Sequence, residues 1–513
     1  MKNISLSLSG LLGKNYIRTL CSASSFLQNR DLEEFLRIAD TPVDFVPDWF
    51  SAKQDELVSL VGSQVIIPAE GFGNGAPTKG FEKASSLDSS PISGLGCFRV
   101  GEDGRLYLAS KSEHYHASLG HNFPGFKLLE NALKLGIVNA AHNNSRGYIT
   151  RKLERELIKH ANGLTSEHEI DEASVSSDPK VLNRVLNLST GSLAAEAGIK
   201  MMLKKFYQEQ GKTDKAVSSG KTPVFFVIGD YEGGRQANYH GTTFLDQLFR
   251  DMWPEIYSKM VQAGILRIVP VRINDAEDFQ AKLFKYSNER YAPAGFIHEI
   301  VLMNYGVILL EKSYLQEVYA LCREKGIPIL CDEIQSGIWY PEVFAFRRYG
   351  LKPDIVVLGK GFSAGHYAAS RVISSSSLDL LSQFGALVTN GQQELASLAF
   401  LITLEFVKQN GAFIEDTAFH YQNSLKKLAE DFPELLDGID GLGHMSALRF
   451  NTIASAEAFA KELNKKCIDI SVHTYKPSCP PSALTKLPLV ATRKIIEWLV
   501  REMEKVLSSL HNF

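Results

Sequence analysis

Two charged residues stand where apolar runs stop. Ile327-Pro-Ile-Leu-Cys331 ends in Asp332 and Glu333, and Ile355-Val-Val-Leu358 is followed, after Gly359, by Lys360. Both runs are short and rich in branched residues, as buried parallel strands are. In open α/β sheets, ligands lie beyond the carboxyl ends of the strands. Asp332 and Lys360 are 28 positions apart, about one strand–helix–strand unit, so a carboxylate and an amine can meet in one small site. A lysine removed from water gives up its proton and attacks a carbonyl carbon. A carboxylate opposite it can hold a protonated pyridine nitrogen, the arrangement pyridoxal phosphate requires. In isolation, the two residues would read as an ion pair or as separate surface charges. The surrounding sequence decides between these readings.

The elements that must position them alternate. Strands are expected at 185–189, 223–229, 266–272, 327–331 and 354–358, with helices at 193–207 and 313–326 between them. Leu315, Val318, Tyr319 and Cys322 recur at helical spacing, and Gly326 ends that helix. Such alternation predicts a mostly parallel sheet flanked by helices. After about residue 390 come helices at 394–409 and 413–430, a strand at 445–450 and a last helix at 490–510, which read as a smaller C-terminal α/β domain. Upstream, 97–110 reads as a hairpin about Asp103-Gly104, and 148–163 as an amphipathic helix closed by Gly163. Residues 1–96 read as an irregular N-terminal extension, with 68–96 a Gly/Pro/Ser-rich loop. The expected domains are therefore 1–96, 97–390 and 391–513, the start of the second packing with the third.

The chain of 513 residues is 44% hydrophobic and 22% charged with a net charge of −3. That composition is ordinary for a globular protein and carries no electrostatic footprint for nucleic acid. No apolar run approaches the ~18 residues of a membrane span. Six scattered cysteines without a CxxC pair predict free thiols and a reducing compartment. The first thirty residues share bases and serines with transit peptides, but "ISLSLSGLLG" is too polar for a secretory core. The start reads as a cytoplasmic N-terminus.

The stretch "CDEIQSGIWYPEVFAFRRYGLKPDIVVLGKG" (331–361) resembles the class III aminotransferases, pyridoxal-phosphate enzymes of fold type I. In that family a strand runs into Asp-Glu-(Val/Ile)-Gln-x-Gly, then an aromatic-rich stretch, Lys-Pro-Asp-Ile and a strand ending in Lys-Gly. The resemblance implies that Lys360 forms the Schiff base with the cofactor, Asp332 pairs with its pyridinium nitrogen, Ile334 packs on one ring face and Gln335 reaches the phenolic oxygen. "STGSLAAEAGIK" (189–200) resembles the family's phosphate-binding turn, which a helix N-terminus suits, and implies Gly191 and Ser192 as phosphate binders; Leu193 and Ala195 replace the usual Glu and Asn. "ANYHGTT" (237–243) resembles the aromatic-His-Gly-Arg-Thr segment and puts Tyr239 on the other ring face, with Thr242 where Arg is usual.

"LVTNGQQELASLAF" (387–400) resembles the stretch whose threonine reaches the phosphate of the neighbouring subunit. Thr389 inherits that role, which implies a homodimer with shared sites. Asn390, Gln392, Gln393 and Glu394 depart from the pattern, and Asn390 and Gln392 are candidate pocket residues. The segment 104–125 resembles a substrate-channel loop, with Tyr115 and His116 as candidate lining. Its three histidines, 114, 116 and 121, lack the spacing of a common zinc site, and no metal is expected. Glu299 matches the acid of the family's Glu-Pro segment, Ile300 replacing the proline. The family's carboxylate-binding arginine before Pro-Pro-Leu has no counterpart in "YKPSCPPSAL" (475–484), which offers Lys476. The expected activity is transfer of an amino group from an amino acid or amine to a keto acid or aldehyde. The alternatives are an aminomutase or racemase of the same fold, and a non-catalytic interaction protein that retains it.

Overall fold

The computed structural model describes all residues except 72, 74, 85–88, 212–219, 475, 477 and 512–513. Parts of the expected 68–96 loop and of the 475–484 segment lie outside the described residues. The N-terminal region holds four helices, α1 (Leu8–Leu12), α2 (Lys14–Gln28), α3 (Leu32–Asp40) and α4 (Asp48–Leu57), with Ser5–Leu6 paired antiparallel to Val43–Asp44. Residues 1–96 are therefore not the irregular extension expected. Their helical signal is narrow: α2 buries only Ile17, Cys21 and Ser24, a single stripe that includes a serine. Phe35, Phe45 and Phe50 are fully buried and anchor this region to the main core. Lys79–Ala84 is a short helix, and β1 (Pro91–Leu95) pairs with β2 (Phe98–Gly101), which pairs with β3 (Leu106–Leu108) in the expected hairpin.

The helix α5 (Tyr148–Asn162) ends on Gly163 in the left-handed conformation, as expected. The main sheet is built from β4 (Arg184–Leu188), β5 (Thr222–Ile228), β6 (Arg267–Val271), β7 (Tyr291–Glu299), β8 (Ile329–Asp332), β9 (Ile355–Leu358) and β10 (Ser370–Ser374). Their order is β4-β10-β9-β8-β7-β5-β6, and only β10 runs antiparallel to its neighbours. The helices α6 (Gly191–Gly211) and α7 (Lys312–Glu324) follow β4 and precede β8. The four residues of β8 and of β9 are all buried, which is why their sequences are unbroken apolar runs.

The two helices expected at 394–409 and 413–430 form one long element, α8 (Glu394–Asp431), kinked at Asn410 (φ −113°, ψ 17°). The Asn410 side chain accepts from the Lys2 backbone N–H at 2.7 Å and donates to the Lys2 carbonyl at 3.3 Å. A four-stranded sheet follows, from β11 (Leu436–Leu442), β12 (Met445–Phe450), β13 (Ser471–His473) and β14 (Ser482–Lys486), with α9 (Ile453–Lys465) and the terminal α10 (Arg493–His511) beside it. The first hairpin joins this C-terminal part: Leu108 donates to the Cys467 carbonyl at 2.9 Å, and Lys486 donates to the Ser110 carbonyl at 3.0 Å. All six cysteines are buried and unbridged. Among the described residues, no helix is long and apolar enough to cross a membrane.

Candidate active site

Three neighbouring parallel strands deliver three ionisable side chains to one edge. Glu299 ends β7 and lies in register with Asp332 at the end of β8, which is in turn in register with Val357 of β9. Two residues past β9, Lys360 begins a tight turn with φ +41°, a left-handed conformation uncommon for a residue with a Cβ. The turn is held from outside. Ser118 donates to the Gly361 carbonyl at 2.6 Å, and Gly361 must lack a side chain because the Trp339 ring occupies the place of its Cβ.

A cavity of about 110 Å³ opens over this edge. Eight of the residues singled out from sequence line it: Lys360, Asp332 and Glu299 from the strand ends, Ile334 and Gln335 from the turn after β8, Tyr239, and Gly191 with Ser192 at the start of α6. A Cβ on Gly191 would come within 2.8 Å of the Ile334 side chain. The small residue therefore lets the helix N-terminus, with its free N–H groups, approach the apolar wall. Ser192 Oγ accepts the Thr242 N–H at 3.0 Å, so the turn and the Tyr239 segment meet at the same corner.

The electrostatics fit a cofactor with a carbonyl, an acidic-anion end and a basic ring nitrogen. Burial lowers the Lys360 pKa to about 8, against the pull of Glu299 and Asp332. Burial, with Asp332 beside it, raises Glu299 well above the usual carboxylate range, while Lys476, Lys360 and Lys486 oppose the shift. Asp332 is 2% exposed; one oxygen accepts the Ile334 N–H at 2.9 Å and the other faces His240 Nδ1 at 2.7 Å. Glu333, the second acid of the strand end, turns away from the cavity. It accepts the Phe346 N–H at 2.7 Å and the Ser336 hydroxyl, so it holds neighbouring backbone and a side chain of its own turn. Burial pushes its pKa to about 7.

Three buried polar groups were missed from sequence. His240 lines the cavity beside Tyr239. Its Nε2 faces Asn238 Oδ1 at 2.8 Å, and Asn238 is oriented by donating its Nδ2 to the Phe249 carbonyl at 3.3 Å. Each His240 ring nitrogen thus faces an oxygen, Nδ1 that of Asp332 and Nε2 that of Asn238. A histidine between an aromatic and a glycine was the available signal. The second missed group is Asp246, 1% exposed, whose two carboxylate oxygens have no hydrogen-bond partner among the described residues. Oδ2 and Ser192 Oγ crowd the Cβ position of Gly241. Lys486, the third, lies beneath Gln335.

Burial raises the Asp246 pKa to about 7. A raised acid binds its proton more tightly in the folded state, so stability falls as pH rises from about 4, the unfolded value, through 7. The slope is roughly 1.4 kcal/mol per pH unit across that window. Asp246→Asn is expected to raise the melting temperature of the cofactor-free protein at pH 8 and leave it nearly unchanged at pH 4, as read by thermal denaturation at both. A variant less stable at pH 8 would contradict the assignment.

Five residues singled out from sequence, Tyr115, His116, Thr389, Asn390 and Gln392, do not line the cavity. Tyr115 stands close by: Lys360 Nζ lies 5.5 Å from its ring centroid, and its hydroxyl donates to Ser471 Oγ at 2.9 Å. The segment that carries it is strained, with Ser112, Glu113 and Tyr115 all at positive φ (51°, 58°, 63°). His116 packs against Gly365, and His121 Nε2 pairs with Glu113 at 2.8 Å. Thr389 and Asn390 are exposed on the segment before α8. Gln392 lines a different cavity, of about 790 Å³, which has Arg146, Arg151, Arg155 and Arg184 on its wall and does not include Lys360. Asn390 and Gln392 therefore do not enter the Lys360 pocket of their own chain. Glu394 departs from the family pattern for a structural reason: its carboxylate caps α5, accepting the Ile149 and Thr150 N–H groups at 2.8 and 3.1 Å. Lys476 is buried, and burial with Arg250 nearby lowers its pKa to about 7.

The sequence model described as "Aminotransferase class-III" matches residues 88–507. The putrescine aminotransferase of Pectobacterium atrosepticum is 30% identical over 226 residues, 42% of this chain and 47% of its own length. The mitochondrial ornithine aminotransferase of Oryza sativa subsp. japonica is 26% identical over 284 residues, 54% of this chain and 56% of its own. The chain thus spans about half the length of these curated relatives. A taurine:2-oxoglutarate aminotransferase from Bifidobacterium kashiwanohense, solved with PLP and glutamate, superposes with a TM-score of 0.65 at 18% identity, over 89% of this chain and 98% of that one. At that identity the likeness concerns the fold.

Proposed function

The chain belongs to the class III aminotransferases, and from that premise we propose that it is a pyridoxal-phosphate-dependent transaminase acting through Lys360. One observation carries the reading: the depressed amine of Lys360, the Asp332 carboxylate and the Gly191-Ser192 helix start converge on a single cavity. The residues match the cofactor group by group. Asp332 answers the pyridine nitrogen, Ile334 and Tyr239 the two ring faces, Gln335 the ring oxygen, Gly191 and Ser192 the phosphate, and Lys360 the aldehyde.

When bound, the cofactor supplies an electron sink conjugated to the substrate Cα. Lys360 Nζ, released by the incoming amine, removes the proton from that carbon and redelivers it, a general acid–base role suited to a pKa near working pH. Asp332, backed by His240, keeps the ring nitrogen protonated. Glu299 and Tyr115 are the proposed substrate-side groups, with His116 behind them. The donor is an amino acid or amine and the acceptor a keto acid or aldehyde. Thr389, exposed in its own chain, is proposed to reach the phosphate of a second copy, which makes a homodimer the working unit.

The test is colour followed by product. Purified protein with pyridoxal phosphate is expected to turn yellow, and amino donors with 2-oxoglutarate or an aldehyde should yield the aminated acceptor. Isomerisation without net transfer would replace the transaminase reading by a mutase or racemase. A protein that neither binds the cofactor nor responds to amines would be a non-catalytic member of the fold.

A further inference from the structure

Lys486, the last residue of β14, is fully buried. Its Nζ donates to the Gln335 carbonyl at 2.6 Å, to the Tyr115 carbonyl at 3.0 Å and to Gln335 Oε1 at 3.4 Å, and it lies 3.7 Å from the centroid of the Trp339 ring. Among the described residues, no carboxylate forms an ion pair with it. Three acceptor oxygens and an indole face suit an ammonium, the only lysine form with a hydrogen for each oxygen. Burial, with Lys360 nearby, lowers its pKa well below that of an ordinary lysine while Glu299 opposes the shift, so the three acceptor oxygens and the indole face are what hold the ammonium.

The contacts join two pieces that have to be fixed against each other. Tyr115 belongs to the strained 112–115 segment, and Gln335 lies in the turn after β8. A primary amide can present either end to the cavity. With Oε1 drawn toward Lys486, the Nε2 hydrogens face away from it.

We propose that Lys486 is a positioning residue that orients the Gln335 amide, so that its N–H points to the cofactor's ring oxygen, and that places a fixed positive charge behind it. The proposal rests on the reading of Lys360 as the cofactor lysine. Its consequence is electrostatic. A donor on the ring oxygen weakens that oxygen's hold on a proton at Lys360 Nζ, and a nearby cation disfavours that proton directly. Both effects lower the pH at which the bound cofactor changes colour. The other charged or titratable groups facing this region are Lys360 and Glu299 at the strand ends, Asp332 beyond Lys360, and His114 and His116 on the strained segment.

The experiment loads wild type, Lys486→Met, Lys486→Gln, Lys486→Arg, Gln335→Leu and the Lys486→Met/Gln335→Leu double variant with pyridoxal phosphate. The pH midpoint of the absorbance change is then measured, and thermal stability is recorded alongside. Lys486→Met and Lys486→Gln are expected to raise the midpoint by about one pH unit, Gln335→Leu by part of that, and Lys486→Arg to restore the wild-type value. The double variant should show less than the sum of its singles, because one acts partly through the other. A folded, yellow Lys486→Met or Lys486→Gln with an unmoved midpoint overturns the proposal. So does failure of both to fold while Lys486→Arg folds, since the lysine is then structural. A wild type that takes up no cofactor refutes the reading of Lys360 instead.

Discussion

Lys360→Ala is expected to leave a protein that folds but stays colourless with pyridoxal phosphate and transfers no amino group at a measurable rate. Two functions disappear together. The covalent anchor goes, and so does the base that moves the substrate's Cα proton, a contribution worth roughly 10²–10⁴-fold by itself. The magnitude follows from burial. An ordinary lysine of pKa 10.5 is about 0.1% neutral at pH 7.5, whereas a pKa of about 8 leaves roughly a quarter neutral. The site thus raises the attacking form by about two orders of magnitude. Stability should move the other way from activity. A lysine whose folded pKa lies below its unfolded value binds fewer protons when folded, so stability rises with pH between 8 and 10.5 and is lower beneath that window. Removing the buried amine relieves a cost of a few kcal/mol at pH 7. The cofactor-free variant should therefore melt no lower than wild type at pH 7. Absorbance, turnover and melting on one preparation check this. A yellow or active Lys360→Ala would end the assignment of this lysine.

What could be read from sequence follows how local the determining physics is. Asp332 and Lys360 were legible because a buried parallel strand must be apolar, so a charge at its end stands out. Ile334, Gln335, Gly191 and Ser192 are each tied to a strand end by a short turn, and Tyr239 by the longer loop after Ile228; the cavity brings them together. Lys486 was not legible: it meets Gln335 across 151 positions, and nothing beside it in the chain distinguishes it from a surface lysine. Asp246 was hidden in the same way, its burial set by packing near Gly241 and Ser192. The N-terminal helices were overlooked because serine-rich sequence dilutes the apolar period. α2 buries one residue per turn, and tertiary contact, not propensity, holds such a helix. Asn410 shows a milder version. Gln-Asn-Gly in a helical pattern reads as a break, but packing and the bonds to Lys2 carry α8 through it as a kink.

Asp332→Asn is the second large effect, and it should differ in kind from the loss of Lys360. The substitution keeps shape and an oxygen for the Ile334 N–H, so the fold should survive. The cofactor anchor is untouched, and the protein should still turn yellow. What goes is the negative charge at a site 2% exposed, where charge interactions are screened little. The His240 ring then faces an amide in place of a carboxylate, with Asn238 still against its other nitrogen. The residue opposite the cofactor no longer favours a proton on the ring nitrogen, and the ring loses its capacity to accept electrons from Cα. Misplaced or missing electrostatic support of this kind costs roughly 10²–10³ in turnover, with KM for the donor little changed because the interaction strengthens only as charge develops. His240→Gln should fall between, since Asp332 keeps its charge but loses the imidazole that orients it. The order wild type, His240→Gln, Asp332→Asn in kcat, at nearly constant cofactor colour, is the signature of a carboxylate acting on the ring. Equal turnover in wild type and Asp332→Asn would assign the carboxylate to packing alone.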